Sequence, residues 1–212
     1  MNLLKDLEYN KKRVLVRVDF NVPIKDGKIT EDSRIVLAMP TLQFLVQNGA
    51  KQVHILTHLG RPKGVIVPEL STKILVPTIE KLLGEKVYFR QDFTANETRV
   101  QLHENTRFWK GEKKNDPNFA KQIRDGLEVD LFVLDGFSVS HRAHASVVGL
   151  AELGVETCAG RLLETEIKNL SPYRSDSKIK GLTVIVGGAK MKTKVVILKH
   201  FAKTAENILI GG

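Results

Sequence analysis

Residues 17–23 (RVDFNVP), 57–62 (THLGRP), 104–108 (ENTRF) and 141–146 (HRAHAS) concentrate arginine, histidine and carboxamide side chains close to apolar, strand-like runs. They therefore fall on loops at strand ends. In an open α/β sheet, ligands bind in the crevice outside the carboxyl ends of the strands. Arg34, His58, Arg61, Arg107, His141 and Arg142, gathered at one such edge, make a pocket for a small, strongly anionic molecule. Arginine offers a planar fork of donors matched to carboxylate and phosphate oxygens. Asp19 and Asn21 add an acceptor and a two-way partner suited to hydroxyls on the same ligand. Gly60 lets the loop backbone approach that ligand closely, and Pro62 stiffens the residue before it. Taken singly, Asp19 is equally a strand-end turn residue, Arg34 a surface residue at a helix start, and His58 a satisfied loop histidine. Their joint placement selects the binding reading.

Other candidates are weaker. Gly187, Gly188, Ala189 and Lys190 follow an apolar run and resemble a phosphate-approach turn, with Lys190 and Lys194 one helical turn apart. They lack Walker A spacing, and a solvated lysine face is the simpler reading of these residues alone. Trp109 is expected in core packing. Cys158 has no base beside it and is not expected to act as a nucleophile. His54, His103 and His144 have no zinc-like spacing with Cys158, so no metal site is expected.

The elements that position these loops alternate. Residues 13–19, 52–57, 86–90 and 130–134 read as strands, with another within 100–108. A helix is expected between Asp32 or Ser33 and about Asn48, with its regular part starting near Met39 because Pro40 is costly in a helix interior. A second runs over 71–83, kinked or broken at Pro77 and stopped by Gly84. A third opens at Asp116-Pro117, and a fourth covers 160–170. Such alternation implies an α/β fold: a three-layer open parallel sheet with helices on both faces, over residues 1–171. Residues 172–212 read as the first strand–helix–strand of a second α/β domain, too short to bury a core of its own.

Bulk composition narrows the classes. No run approaches the length of a membrane span, no signal-peptide core is present, and a single cysteine excludes an internal disulfide and suits a reducing cytoplasm. The net charge of +9 attracts anions generally. Lys110, Lys113, Lys114, Lys121, Lys168, Lys178 and Lys180 are scattered among carboxylates and read as solvated surface. Aromatic residues are only 6% of the chain, with no spaced pair to stack bases, which disfavours nucleic acid as a partner.

In order and approximate spacing, RVDFNVP, RIVLAMPT (34–41), THLGRP, ENTRF, HRAHAS and GGAKMKTK (187–194) resemble phosphoglycerate kinase, over residues 4–212. The resemblance implies ATP-dependent phosphoryl transfer between 3-phosphoglycerate and 1,3-bisphosphoglycerate, in cytoplasmic glycolysis. It implies that residues 1–171 form the glycerate-binding domain and 172–212 the incomplete start of the nucleotide-binding domain. The remaining C-terminal domain would hold most of Mg-ATP or Mg-ADP, hinge bending would close the two, and the complete protein would be a monomer. Carried over by motif, Asp19, Phe20, Asn21, Arg34, His58, Leu59, Gly60, Arg61, Arg107 and Arg142 bind 3-phosphoglycerate. Arg34 and Lys190 are the catalytic pair, and Gly187, Gly188, Lys190 and Lys194 meet nucleotide phosphates; no metal ligand is implied in this chain. Three positions depart from the family: His103 stands for leucine, Leu134 for an amide, and Ser138 for a glycine of unusual backbone angle. With these changes, a non-catalytic anion-binding paralogue is the alternative.

Overall fold

The computed structural model describes residues 2–94, 96–174, 177–188 and 194–211. They form two compact units, Met1–Thr165 and Glu166–Gly212. The first unit contains β1 (Asn2–Leu3), β2 (Arg13–Val18), β3 (Ile24–Lys25), β4 (Lys28–Ile29), α1 (Ser33–Gln47), β5 (Gln52–Leu56), α2 (Val76–Leu83), β6 (Tyr88–Arg90) and β7 (Val100–His103). It continues with α3 (Pro117–Gly126), β8 (Leu131–Asp135), α4 (Phe137–Ser140), α5 (Leu150–Glu152), β9 (Glu156–Ala159) and the start of α6 (Arg161–Leu170). Seven strands make one sheet in the order β1-β9-β8-β2-β5-β7-β6, and every neighbouring pair is parallel.

Strands buried on both faces explain the near-continuous apolar runs of β2, β5 and β8. Period-two alternation sorts their residues. Val14, Val16, Val53, Ile55, Val100 and Leu102 face an apolar core with Ile35, Leu42 and Leu45 of α1 and Ile79 of α2. Leu15, Leu56 and Phe132 face the other way, against Phe119 and Ile123 of α3 and Leu150 of α5. Arg17, His54, Gln101 and His103 share the parity of that second face, and all are buried. One side of the sheet is mostly hydrocarbon, with Asp135 buried at the end of β8; the other contains a buried polar layer.

Local sequence explains most element ends. Asp26 and Gly27 both have positive φ and close the tight β3–β4 hairpin. Asp116 caps α3 by accepting from the Asn118 N–H, with Pro117 in the first turn. The segment before α2 is a 3-10 turn, Thr72–Leu75, and Gly84 at φ 73° ends the helix, as Pro77 and Gly84 imply. Pro40 behaves differently from expectation: α1 is continuous from Ser33, with the proline inside it. Pro40 lies on the exposed face, and Val36, whose carbonyl loses its helical partner, is itself exposed, so water can satisfy it. Strands β1 and β9 were not anticipated; each is short and lacks a β-branched run.

In the second unit, β10 (Thr183–Val186) and β11 (Asn207–Ile210) pair in parallel, linked through α7 (Val195–Thr204). Ile185, Val196, Leu209 and Ile210 are each more than half exposed. Among the described residues no helix is long and apolar enough to cross a membrane.

The polar layer fixes a pH response. The His103 Nδ1–H donates to the Asp92 carbonyl at 2.8 Å, which leaves Nε2 as an acceptor for the His54 Nδ1–H at 3.1 Å. His54 Nε2, buried without a partner, is then a bare lone pair rather than a stranded donor. Burial, followed by the neighbouring His103 and Arg13, pushes His54 down to about 3; burial pushes His103 down to about 4. The unfolded chain takes up these protons near pH 6.5 while the folded chain does not. Stability is therefore full above that pH and falls as pH drops towards 4, by about 1.4 kcal/mol per pH unit per histidine. Urea denaturation at pH 7 and pH 5 should show a larger loss in this chain than in the His54→Leu/His103→Leu chain, which keeps only the contributions of the other buried histidines.

Candidate functional site

Strands β8, β2, β5 and β7 are consecutive in the sheet, and the four motif loops leave their carboxyl ends. After β7 the chain returns to the far side of β2 to form β8. The crevice beside β2 is thus a topological switch point, where α/β sheets bind ligands.

Beneath the crevice lies Arg17, fully buried near the end of β2. Its Nε–H donates to Ser146 Oγ at 2.8 Å, its Nη1 to the Val18 carbonyl, and its Nη2 to His58 Nδ1 at 3.1 Å. The Ser146 hydroxyl and backbone N–H donate in turn to the two carboxylate oxygens of Glu112, at 2.6 and 3.0 Å. The Thr106 hydroxyl adds a bond of 3.3 Å. Glu112 is also fully buried, so a serine joins one interior cation to one interior carboxylate. Burial draws the Arg17 guanidinium down from its usual range while Glu112 and Asp19 hold it up. Arginine has no acceptor, so His58 Nδ1 must accept and its proton sits on Nε2. Burial, then the charges of Arg17 and Arg107, hold His58 far below the usual histidine range. Its 3.8 Å approach to Asp19 is accordingly not an ion pair.

The loops above are tied to one another. Asp19 accepts from the Asn21 N–H at 3.1 Å, from Arg34 Nη1 at 2.5 Å and from the Ser138 hydroxyl. Asn21 Oδ1 accepts from the Gly60 N–H at 2.8 Å, and Arg107 Nη1 donates to the Gly60 carbonyl at 2.7 Å. Buried Asn105 accepts from the Arg107 N–H and donates to the carbonyls of Leu59 and Leu70. Gly60 needs its φ of 58° and its lack of a Cβ, because an added carbon would lie 2.8 Å from Leu70 Cδ2.

These bonds surround a cavity of about 540 Å³. Asp19, Asn21, Arg34, His58, Gly60, Arg61, Arg107 and Arg142 line it, together with Lys113, Ser138 and Val139. Five cations face one carboxylate, an electrostatic well for a multiply charged anion. Phe20 and Leu59 do not line it: strand-end alternation turns both side chains into the apolar core. His141 also stays out of the lining. Lys113, read from sequence as solvated surface, is a wall residue, brought there by the 3-10 turn Glu112–Lys114. Ser138 sits in α4 without a left-handed backbone, so no glycine is required, and its hydroxyl holds Asp19. Leu134 packs partly buried against the α3 core, and His103 belongs to the buried histidine pair. In the second unit, Gly188 has φ 108°, and a Cβ there would lie 2.6 Å from Lys194 Nζ. Lys190 lies outside the described residues. Cys158 is buried and pushed up to about 11 by burial, which suits a packing role. Trp109 stacks against Phe119 and packs at a tilt against Phe93.

The sequence profile of phosphoglycerate kinase matches residues 4–212. The chain belongs to the phosphoglycerate kinase family. It is 43% identical to the phosphoglycerate kinase of Thermosipho africanus and 41% to that of a Ruegeria species, over 99% of its own length. It covers 53% and 54% of those proteins. Its fold superposes on the structure of phosphoglycerate kinase from Coxiella burnetii with a TM-score of 0.87 at 38% identity, covering 100% of this chain and 54% of that one. The Pyrococcus horikoshii enzyme gives 0.82 at 29% identity, covering 100% and 55%. The chain thus spans about half the length of the curated relatives it matches.

Removing one partner of the buried charges should be far costlier than removing both. Glu112→Ala removes the stronger of the two carboxylate influences on Arg17 and should cost about 3–5 kcal/mol, whereas Arg17→Met/Glu112→Leu should recover most of that loss. Urea denaturation of the two variants distinguishes these outcomes.

Proposed function

We propose that this chain supplies the 3-phosphoglycerate-binding half of phosphoglycerate kinase, which moves a phosphoryl group reversibly between 1,3-bisphosphoglycerate and ADP. The arginine-lined cavity at the sheet edge carries this reading. Phosphoryl transfer asks mainly for positioning and for stabilisation of charge, which this cavity is equipped to supply. Arg61, Arg107 and Arg142 neutralise the ligand's phosphate and carboxylate, and His58 offers a neutral Nε2–H. Asp19 and Asn21 take its hydroxyl. Val139, the cavity's one aliphatic side chain, adds an apolar patch to the wall.

In the ATP-forming direction the bond between phosphorus and the acyl oxygen breaks while an oxygen of the ADP terminal phosphate bonds to that phosphorus. The leaving carboxylate stays in the cavity as 3-phosphoglycerate, and Arg34 neutralises the group in flight. The turn at Gly187 and Gly188, with Lys190 and Lys194, meets the nucleotide phosphates. The space that Gly188 leaves for the Lys194 ammonium supports this role. Magnesium arrives with the nucleotide; among the described residues no group of three or more His, Cys, Asp or Glu is gathered as for a metal. The reading places residues 1–171 in the glycerate domain and 172–212 in the nucleotide domain, brought together by hinge closure in the cytoplasm.

Calorimetric titration of 3-phosphoglycerate tests the proposal. Saturable binding is expected, and Arg61→Ala or Arg142→Ala should each weaken it roughly 10- to 100-fold, the worth of a charge-assisted hydrogen bond. Binding that ignores both substitutions would sink it.

A further inference from the structure

Beside the first cavity lies a second, of about 370 Å³, walled by Lys63, Lys110, Lys113, Lys114, Arg107 and Trp109. Its charge has a structural origin. Residues 110–114 read KGEKK, but Glu112 is turned inward to Ser146, so the segment presents only ammonium groups outward. Lys63 joins them from the loop after β5. Gly64, at φ 82°, donates its N–H to the Arg107 carbonyl at 3.1 Å. A Cβ on Gly64 would lie 2.9 Å from Lys110 Cγ, so the glycine is what lets the two strips of backbone close up. Among the described residues none of the four lysines forms an ion pair. Arg107 lines both cavities, and its Nε–H is buried without an acceptor.

We infer that this second cavity is an anion subsite that takes a linear inorganic polyphosphate. The contrast between the two walls chooses the ligand. Arginine forks fix planar carboxylate and phosphate groups in one geometry; lysines are mobile point charges, suited to a flexible chain of many oxygens. Nothing in the wall besides the Trp109 indole offers to recognise an organic framework. The cavity size lies within the range of small-ligand sites. Arg107 and Lys113, common to both cavities, couple the subsite to whatever anion fills the first.

The test uses sodium tripolyphosphate and the full chain carrying Arg61→Ala/Arg142→Ala, which disables the first cavity. At about 150 mM KCl, where diffuse surface attraction is screened, calorimetry should show one saturable site. Emission from Trp109, the chain's single tryptophan, should change along the same isotherm. Adding Lys63→Ala/Lys110→Ala/Lys114→Ala should weaken binding by about tenfold or more. These lysines are exposed, so circular dichroism should confirm an unchanged fold. Absence of saturable binding in the Arg61→Ala/Arg142→Ala chain, or binding indifferent to the lysine substitutions, would overturn the assignment.

Discussion

An arginine side chain with no solvent exposure must be neutralised and each of its nitrogens hydrogen-bonded, or the fold that buries it fails. Arg17 meets this demand through Ser146 and Glu112 on one side and His58 on the other. Those partners come from the segment after β7, the segment after α4 and the loop after β5. Satisfying one buried charge therefore sets three loops at once. It also consumes the carboxylate of Glu112 below the surface, which leaves the surface above short of negative charge.

That deficit gives the site its character. Asp19 is the single carboxylate in the main cavity, and it is engaged by Arg34, Ser138 and the Asn21 backbone. The other cationic groups of the wall are left to a ligand. His58 cannot add to them, because Arg17 occupies its Nδ1 and burial opposes a second proton. It contributes a directional donor instead. The lysine-lined cavity next door follows from the same inward turn of Glu112.

Much of this was legible in the residues. Apolar runs bounded by Asp26-Gly27, Gly84 and Asp116-Pro117 marked the elements, because these signals act locally. Arginines clustered after strands marked the cavity, because a parallel sheet puts those ends on one edge. What was illegible depends on burial that only tertiary packing decides. Glu112 stands in a run of lysines and carries no local signal of burial, and Lys113 beside it, read as solvated surface, lines the cavity. Arg17 carried one signal: in RVLVRV it takes an interior position of a strand whose neighbours are apolar. Phe20 and Leu59 sit inside binding motifs, yet alternation sends them into the core. Pro40 was tolerated in α1 because its lost hydrogen bond faces solvent. The edge strand β1 and its neighbour β9 are too short for any periodic pattern.

The central claim is that Arg17 fixes His58 as a neutral Nε2–H donor in an anion-binding cavity. Nitrogen-15 spectra of the histidine side chains, recorded against pH and with added 3-phosphoglycerate, test it directly. His58 should remain the neutral Nε2–H form through pH 5, and its Nε2 resonance should move on addition of the ligand while the buried His54 and His103 stay still. Titration of His58 near pH 6.5, or a His58 signal blind to 3-phosphoglycerate, would contradict the account.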